Sequence, residues 1–420
     1  MHPSDILLSF VPIKKRTPTM KLETLELRPL LRPLLAWIAG IITAVYCPNV
    51  RELSALLPCA CLLLVVCSPI GRKGRMNYAG RGLWGAVFLA ACFSFALLYT
   101  DFRLTLPPSP LTSWQKSAAQ WQAELVDTYT HLGLTEKEQS VLATLVLGYR
   151  ESMERALTES FTAAGVVHIL SVSGFHVAVL YTLLSNLFAR MGTGLAVRSL
   201  DAGATLGLVW GFTIVSGWDS PTVRSALMIT FYVVNNLFYL RGDPYNTWAA
   251  SALLMLVYNP FYLFDIGFQL SYIAVWSILF FYPRFRRMLA VRHPLLRPAW
   301  EGLALTLAAQ VGTLPLCLYY FRETSWVFLF TALPVSWLCT VLIPVGLLWV
   351  VLGQVGVFVP FLGWVVAWCV RMLIYWVEGF GRIPMLRVHF NGWMLLASYV
   401  LLFALMLYWM KQEKKAGMRP

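Results

Sequence analysis

Apolar runs of near-membrane length recur along almost the whole chain, and no other feature of the sequence constrains the fold more. A stretch of about 20 apolar residues in a helix is long enough to cross the hydrocarbon core of a bilayer. The runs cover residues 34–46, 53–67, 83–100, 166–188, 202–215, 223–240, 247–258, 263–282, 302–320, 326–351, 355–377 and 393–410. Several runs are short or contain Pro, and the run 247–258 has the length of a re-entrant or half helix.

The composition agrees with a chain that lies mostly inside a bilayer. Hydrophobic residues make up 58% of the chain, charged residues only 13%, and there are 17 Trp. The mean hydropathy is +0.66. These values exclude an ordinary water-exposed surface. The sequence therefore predicts an all-α fold, a polytopic integral membrane helical bundle of about 10–12 transmembrane helices with broken or re-entrant segments.

Basic residues in alternate loops account for much of the net charge of +13. Cytoplasmic loops of membrane proteins are enriched in Lys and Arg, so we expect these loops and both termini in the cytoplasm. The longest loop then lies outside, and residues 101–159 contain eight acidic and five basic residues. A nucleic-acid partner is the other explanation of the basic balance. The basic loop residues are Arg72, Lys73, Arg75, Arg81, Arg284, Arg286, Arg287, Arg292, Arg297, Lys411, Lys414, Lys415 and Arg419.

The same runs divide the chain into five predicted segments. They are a cytoplasmic N-terminal segment (1–33), three N-terminal transmembrane helices (34–100), an extracytoplasmic connector with amphipathic helices (101–164), a second transmembrane domain (165–410) and a basic cytoplasmic tail (411–420). Within the connector, Thr135 and Glu138 have the spacing of a capping box that starts a helix. Met153, Leu157 and Phe161 recur every four residues and predict a second helix with one apolar stripe.

A cluster of polar residues opens the run 166–188. The stretch His168-Ile-Leu-Ser-Val-Ser-Gly-Phe-His176 places Ser171, Ser173 and two imidazoles at the entry to a membrane span. Polar groups at that depth are costly and by default mark a functional site. Gly174 predicts a helix break that exposes backbone groups to a water-filled cavity. The alternative is a tight helix–helix contact held by small and polar residues.

A single cation stands at the start of the run 223–240. Arg224 follows Pro221 by three residues, near the predicted external end of a span. A guanidinium offers two parallel donors and keeps its charge, so Arg224 is the best candidate for contacting a phosphate. The alternative is a structural ion pair with Asp219 or Asp265.

A second group of polar residues lies in the first half of the run 263–282. Asp265 and Gln269 are four residues apart and share a helix face, and Ser271 follows two residues later. These side chains are expected either to line a path through the membrane or, for Asp265, to cap the start of a helix.

No pattern in the chain predicts a metal, a cofactor or a catalytic centre. The eight Cys lie in or beside apolar runs without Cys-x-x-Cys spacing, which is typical of small packing residues. An intramembrane hydrolase that uses Ser171 or Ser173 with His168 or His176 is one alternative, but it lacks a third orienting group. We therefore expect no enzymatic activity, and the absence of a nucleotide-binding loop means that energy comes from elsewhere.

Four motifs in sequence order carry a resemblance to a known family. Leu145-Val-Leu-Gly148 is similar to a leucine-glycine stretch, and His168 to His176 resembles a His-Leu-Leu-Ala-Ile-Ser-Gly-Leu-His signature, with Ser171 where Ala is usual. Pro221-Thr-Val-Arg-Ser-Ala-Leu-Met228 is similar to a motif of Pro, Arg and Ala. Asn259-Pro260 and Asp265-Ile-Gly-Phe-Gln-Leu-Ser271 resemble an Asn-Pro and Gly-Phe-Gln-Leu-Ser block. The chain thus resembles the competence domain of the ComEC family of bacterial DNA-uptake proteins.

The resemblance covers residues from about 141 to 404 and implies a function. It implies that residues 165–410 form a competence-type channel in the bacterial cytoplasmic membrane that passes single-stranded DNA inward during natural transformation. It also implies an external DNA receptor and a cytoplasmic helicase-like motor as partners, besides membrane lipid. The OB-like and metallo-β-lactamase-like domains of longer members are not found, and there is no His-x-His-x-Asp-His pattern. Degradation of a strand would then need a separate nuclease.

The resemblance also assigns residues to the path. The expected path or DNA-contacting residues are His168, Ser171, Ser173, Gly174, His176, Pro221, Arg224, Asp265, Gln269 and Ser271. Bases could slide on aromatic faces such as those of Trp210, Phe212, Trp218, Tyr232 and Phe268, although most Trp and Tyr in such a chain belong to packing or to the membrane interface. A transporter of a small anionic solute or lipid is the stronger alternative function, since broken helices and midplane polar residues are common there too.

Overall fold

Helices joined by short turns make up the computed structural model, which confirms the all-α polytopic class. The one β pairing within the described part of the chain is a two-residue antiparallel bridge between Glu323–Thr324 (β1) and Leu386–Arg387 (β2). The structure describes residues 28–47, 78–106, 113–150, 152–170, 173–192, 194–218, 220–238, 242–289, 291, 293–294 and 296–415.

The helices are named in chain order. They are α1 (Leu31–Tyr46), α2 (Tyr78–Thr105), α3 (Ser113–Asp127), α4 (Glu136–Leu147), α5 (Arg155–Ala163), α6 (Val167–Leu170), α7 (Gly174–Ala189), α8 (Leu195–Val215), α9 (Ser220–Leu237), α10 (Pro244–Tyr258), α11 (Ile266–Met288), α12 (Leu296–Phe321), α13 (Phe328–Gln354), α14 (Pro360–Gly381) and α15 (Gly392–Lys415). Two short 3₁₀ helices, Thr128–Leu132 and Pro260–Phe264, lie between them.

Six helices of the described residues are long and apolar enough to cross a membrane. These segments are Trp84–Thr105, Ile266–Met288, Leu296–Phe321, Phe328–Gln354, Pro360–Gly381 and Gly392–Glu413. Helices α1 and α7 are apolar but shorter. The chain is therefore a multi-pass membrane protein. The count of about 10–12 spans stays a prediction, and the predicted run 53–67 lies outside the described residues.

Contacts group the chain into two units. Of the described residues, those of the ranges 113–238 and 270–415 form the larger unit, and those of the ranges 28–106 and 242–269 form the smaller. The division falls inside α11, between Gln269 and Leu270. The five segments predicted in chain order stay a prediction, because they describe membrane topology rather than contacts.

In the larger unit, the connector residues pack along the length of α14. The predicted capping box of α4 is confirmed, because Thr135 and Glu138 exchange hydrogen bonds at its start. Glu138 also forms an ion pair with Arg371, midway along α14. At the last residue of α14, a Cβ on Gly381 would lie 2.9 Å from the Ser160 carbonyl of α5. The charge of Arg371, whose side chain is half-exposed, thus has a partner of opposite sign in α4.

The smaller unit is built on a close crossing of α1 and α2. A Cβ on Gly40 of α1 would lie 2.4 Å from the Phe93 carbonyl oxygen of α2, so only glycine permits this approach. Small residues allow helices in membranes to pack closely. The chain enters α1 beside α10, where the Arg28 guanidinium pairs with Asp243 and lies 3.8 Å from the Tyr245 ring centroid.

Candidate functional site

The start of α7 is the break that the sequence predicts at Gly174. Helix α6 ends at Leu170, and α7 begins at Gly174 after an extended Ser173. The Ser173 N–H donates to Nδ1 of His176 at 3.1 Å, and the Ser173 hydroxyl lies 3.1 Å from the same nitrogen. Because Nδ1 accepts a hydrogen bond from the backbone, a neutral imidazole carries its proton on Nε2. Ser171 lies outside the described residues.

His176 therefore presents a donor inside the protein. The residue has no solvent exposure, and its Nε2 has no hydrogen-bond partner in the described structure. The Leu145 carbonyl faces the imidazole without reaching hydrogen-bond geometry at Nε2. His168 lies close enough to His176 for the two imidazoles to interact electrostatically, and its surface is exposed.

A strained turn leads into the helix that carries Arg224. Gly217 and Trp218 have φ angles of 87° and 60°, and helix α9 begins at Ser220. A positive φ is unusual for a tryptophan and costs free energy, of order 1–3 kcal/mol. Residues held in this way cluster at functional sites.

Arg224 is a buried cation that forms no ion pair within the described part of the chain. Its exposed fraction is 3%, and neither Nε nor Nη1 has a hydrogen-bond partner. The guanidinium carbon lies 5.6 Å from the centroid of the Tyr272 ring, which supplies a cation–π contact. No carboxylate among the described residues pairs with Arg224. Of the two partners considered from the sequence, Asp219 lies outside the described residues and Asp265 binds backbone groups of its own helix.

A second unpaired donor lies on the same face of α9. Ser220 precedes Arg224 by four residues, and its buried hydroxyl also lacks a hydrogen-bond partner where the structure is described. A buried charge that no protein group compensates is strongly unfavourable, so native proteins keep one only where it serves a purpose. A guanidinium and a hydroxyl that both point away from protein partners can together bind an anionic oxygen.

Helices α7 and α9 touch where their polar residues lie. A Cβ on Gly174 would lie 2.9 Å from Oγ of Ser225 and 3.8 Å from its Cβ. The Ser225 hydroxyl is held by donating to the Pro221 carbonyl at 2.8 Å. Helices α7 and α9 are thus in direct contact. The contact residue of α7 lies two residues before His176, and that of α9 lies one residue after Arg224.

The polar residues at the start of α11 act locally. The Asp265 carboxylate accepts from the N–H groups of Gly267 and Phe268 at 3.3 and 3.0 Å, which is the capping role foreseen for it. The Gln269 amide donates to the Leu263 carbonyl at 2.9 Å. Their expected lining of a path stays a prediction.

Two further residues expected from the sequence, and three that sequence reasoning did not identify, complete the description of the site. Ser271 and Pro221 are partly buried. The sequence reasoning did not single out Ser220, Ser225 or Tyr272. The spacing of four between Ser220 and Arg224 could have indicated the first, but only the fold shows that Tyr272 faces the guanidinium.

The aromatic residues named from the sequence belong mainly to the packed interior. Phe212 and Phe268 are each 5% exposed, and Tyr232 packs on the core of the larger unit. The rings of Trp210 and Trp218 are 5.7 Å apart and inclined by 38°. Trp218, at the strained turn, is the member of this set closest in sequence to Arg224. Among the described residues, no group of three or more His, Cys, Asp and Glu side chains is placed to bind a metal ion.

A family-wide sequence profile described as Competence protein matches residues 145–412. That match covers more than half of the chain and includes all the residues of α7, α9 and α11. The chain belongs to the competence protein family. The match begins at Leu145, whose carbonyl faces His176. The buried donors of His176, Ser220 and Arg224 in this competence family protein therefore lie within the residues matched by the family profile.

Individual relatives support the membership of this competence family protein. ComE operon protein 3 of Bacillus subtilis (strain 168) is 27% identical over 198 residues, or 47% of this chain and 24% of the relative. Competence protein ComA of Neisseria gonorrhoeae is 27% identical over 230 residues, or 52% of this chain and 31% of the relative. An uncharacterized protein of Aquifex aeolicus (strain VF5) is 30% identical over 123 residues, or 28% and 27%. The chain thus spans between a quarter and a third of their length. No solved structure matches it.

Proposed function

We propose that this chain is a channel of the bacterial inner membrane that passes single-stranded DNA into the cytoplasm during natural transformation. The observation that carries the proposal is the buried Arg224 guanidinium, whose Nε and Nη1 atoms have no hydrogen-bond partner among the described residues. The phosphates of a passing strand would supply the missing negative charge. Membership of the competence protein family favours DNA over other polyanions.

The neighbouring groups suit such a strand. The Ser220 hydroxyl and the His176 Nε2 donor are buried and have no hydrogen-bond partner among the residues that the structure describes, so each can bind a phosphate oxygen or a water molecule beside it. Contacts of this kind carry no sequence information, as a channel for any DNA requires. The break at Gly174 opens the helix at the point where α7 meets α9, the kind of irregular backbone that membrane proteins place beside a water-filled cavity.

The proposed topology follows the charge pattern. Basic residues of the loop after α11 and of the C-terminal tail would face the cytoplasm, together with both termini, while residues 101–164 would lie outside. The chain would receive DNA from an external receptor and pass it to a cytoplasmic helicase-like motor. A separate nuclease would degrade the second strand, and this chain would carry out no chemical step.

The test uses a transformable strain that lacks its own copy and is complemented with variants of this chain. Labelled double-stranded DNA should enter the periplasm in all strains. Arg224→Met should reduce transformants by more than about tenfold, because a buried charged contact to phosphate is worth about 2–5 kcal/mol. Arg224→Lys should retain part of the activity, since it keeps the charge but not the fork. Arg190→Met, at the exposed end of α7, is the matched control and should behave as wild type.

Two outcomes would count against the channel. Normal transformation in the deletion strain would show that DNA does not need this chain. Import that depends on Arg224 only for a small labelled anion, and not for DNA, would instead favour the transporter of an anionic solute.

A further inference from the structure

Three aromatic rings follow one another in the smaller unit, from the end of α10 to the first turn of α11. The centroids of Tyr258 and Tyr262 are 6.4 Å apart with planes inclined by 25°. Those of Tyr262 and Phe268 are 6.5 Å apart with planes inclined by 11°. We call Tyr258, Tyr262 and Phe268 the aromatic ladder.

The ladder runs from the surface into the unit. Tyr258 is 61% exposed, Tyr262 is partly buried and Phe268 is 5% exposed. The inner ring is therefore fixed by packing, while the outer ring offers a free face. A planar group that stacks on Tyr258 would extend a series of nearly parallel rings.

Polar residues of the same segment hold the ladder in place. The Asn259 side chain accepts from the Phe261 N–H at 3.1 Å and starts the 3₁₀ turn that positions Tyr262. The Asp265 carboxylate caps α11 through the Phe268 N–H, and Gln269 donates to the Leu263 carbonyl. The polar residues of this motif thus act as positioning residues for aromatic rings.

Further aromatic and basic groups contact the backbone and the neighbouring side chains of this segment. The Tyr99 hydroxyl donates to the Tyr258 carbonyl at 3.1 Å, and the Arg103 guanidinium lies 5.9 Å from the Tyr99 ring centroid. Tyr46, which is 69% exposed, packs edge-on against Phe264 at 6.2 Å. A cation beside exposed aromatic faces is the combination by which proteins bind single strands without reading sequence.

We propose that the exposed face of Tyr258, backed by Tyr262 and Phe268, is a stacking site for the bases of single-stranded DNA. The inference rests on the proposed function and adds a base-contacting site to the phosphate contact at Arg224. Stacking suits this role because every base has an aromatic face. Tyr residues of a membrane-interface belt lie at headgroup level, whereas Tyr262 and Phe268 stack in series behind Tyr258.

The experiment measures binding to the purified full chain in lipid nanodiscs. The probes are a fluorescent oligothymidylate and an abasic oligonucleotide of the same length and charge. Wild type should bind the abasic strand about fivefold or more weakly, because stacking on an aromatic ring is worth about 1–3 kcal/mol per base. Tyr258→Leu should lose that preference, whereas Tyr258→Phe should keep it. The Tyr99 hydrogen bond goes to the backbone carbonyl, so neither change removes it.

The control is Tyr375→Leu, which removes a Tyr that is 72% exposed on α14 and should leave both affinities unchanged. A second readout is photocrosslinking of a 5-iododeoxyuridine strand, which should label the peptide that contains Tyr258. Equal affinity for both strands in wild type, or crosslinks only elsewhere, overturns the stacking site. If DNA binding still depends on Arg224 in that case, the channel proposal survives. Absence of any DNA binding by wild type would overturn both.

Discussion

At the scale of single residues, the most informative group is a charge without a partner. Arg224 is as buried as Glu301 on α12, since each is 3% exposed, yet their surroundings differ. Glu301 accepts from Arg286 and Arg297 at 3.0 and 2.9 Å, so its charge is compensated. Arg224 has only an aromatic face beside it. A structural ion pair and a binding group are thus distinguished by what lies within hydrogen-bonding distance.

This contrast predicts opposite effects on stability. Arg224→Met should leave the melting temperature of the solubilised protein unchanged or raise it, because replacing an uncompensated buried charge by an apolar side chain of similar volume removes a cost. Glu301→Gln should lower it, because the two arginines lose their anionic partner; the loss should be below the about 3–5 kcal/mol of a fully buried pair, since Arg286 and Arg297 are 24% and 56% exposed.

Thermal unfolding in detergent, followed by circular dichroism, checks this pair. A fall in melting temperature for Arg224→Met as large as that for Glu301→Gln would assign Arg224 a structural role. The Arg190→Met variant controls for the change in net charge.

At the scale of elements, the contact between α7 and α9 depends on the glycine at position 174, which has no side chain. Gly174→Ala should lower the free energy of unfolding by about 1 kcal/mol, because the new Cβ would lie 2.9 Å from the hydrogen-bonded Oγ of Ser225. Ser225→Ala removes that oxygen and leaves its Cβ at 3.8 Å, an ordinary contact. The double variant should therefore recover most of the loss. Equilibrium unfolding of the four proteins of this cycle provides the measurement, and additive effects would disprove direct contact.

The junction of α5 and α14 gives a second prediction. Gly381→Ala should destabilise the protein by about 1–3 kcal/mol, because its Cβ would meet the Ser160 carbonyl, which belongs to a backbone that cannot simply rotate away. Gly379, two residues earlier, has open space around it. Gly379→Ala should be neutral or stabilising, since alanine favours helix more than glycine.

Melting temperatures of the two alanine variants distinguish steric crowding at position 381 from a general destabilisation by alanine in the last turn of α14. Equal losses at positions 379 and 381 would mean that α5 does not pack against the end of α14 as described.

At the scale of the whole molecule, the charge pattern predicts membrane orientation. A green fluorescent protein fused to the C-terminus should fluoresce, and alkaline phosphatase fused there should be inactive, because the basic tail is expected in the cytoplasm. The same phosphatase inserted after Leu106 should be active. Cell fractionation controls for expression. Phosphatase activity at the C-terminus, or its absence after Leu106, would reverse the orientation or place the connector on the other side.

The fold class was predictable because burial in a bilayer requires long apolar helices, and these are visible as runs in the sequence. The capping box at Thr135 was predictable for a similar reason, since it depends on residues three apart. The pairing of Arg371 with Glu138 was not predictable, because 233 residues separate the two charges. Six long spanning helices are found among the described residues, two apolar helices are shorter, and the apolar run 53–67 lies outside the described residues.

The sequence by itself determined three features of this protein. They are its all-α membrane fold, the start of a helix at Gly174 and the motifs that it shares with the competence protein family. Each of these depends on local spacing or on the cost of polar groups in lipid. Only the tertiary structure decided that Arg224 has no carboxylate partner among the described residues, that Ser225 faces Gly174 and that Asp265 and Gln269 support a series of aromatic rings. Partners across a bundle depend on how distant helices pack, and residue spacing along one helix carries no record of that packing.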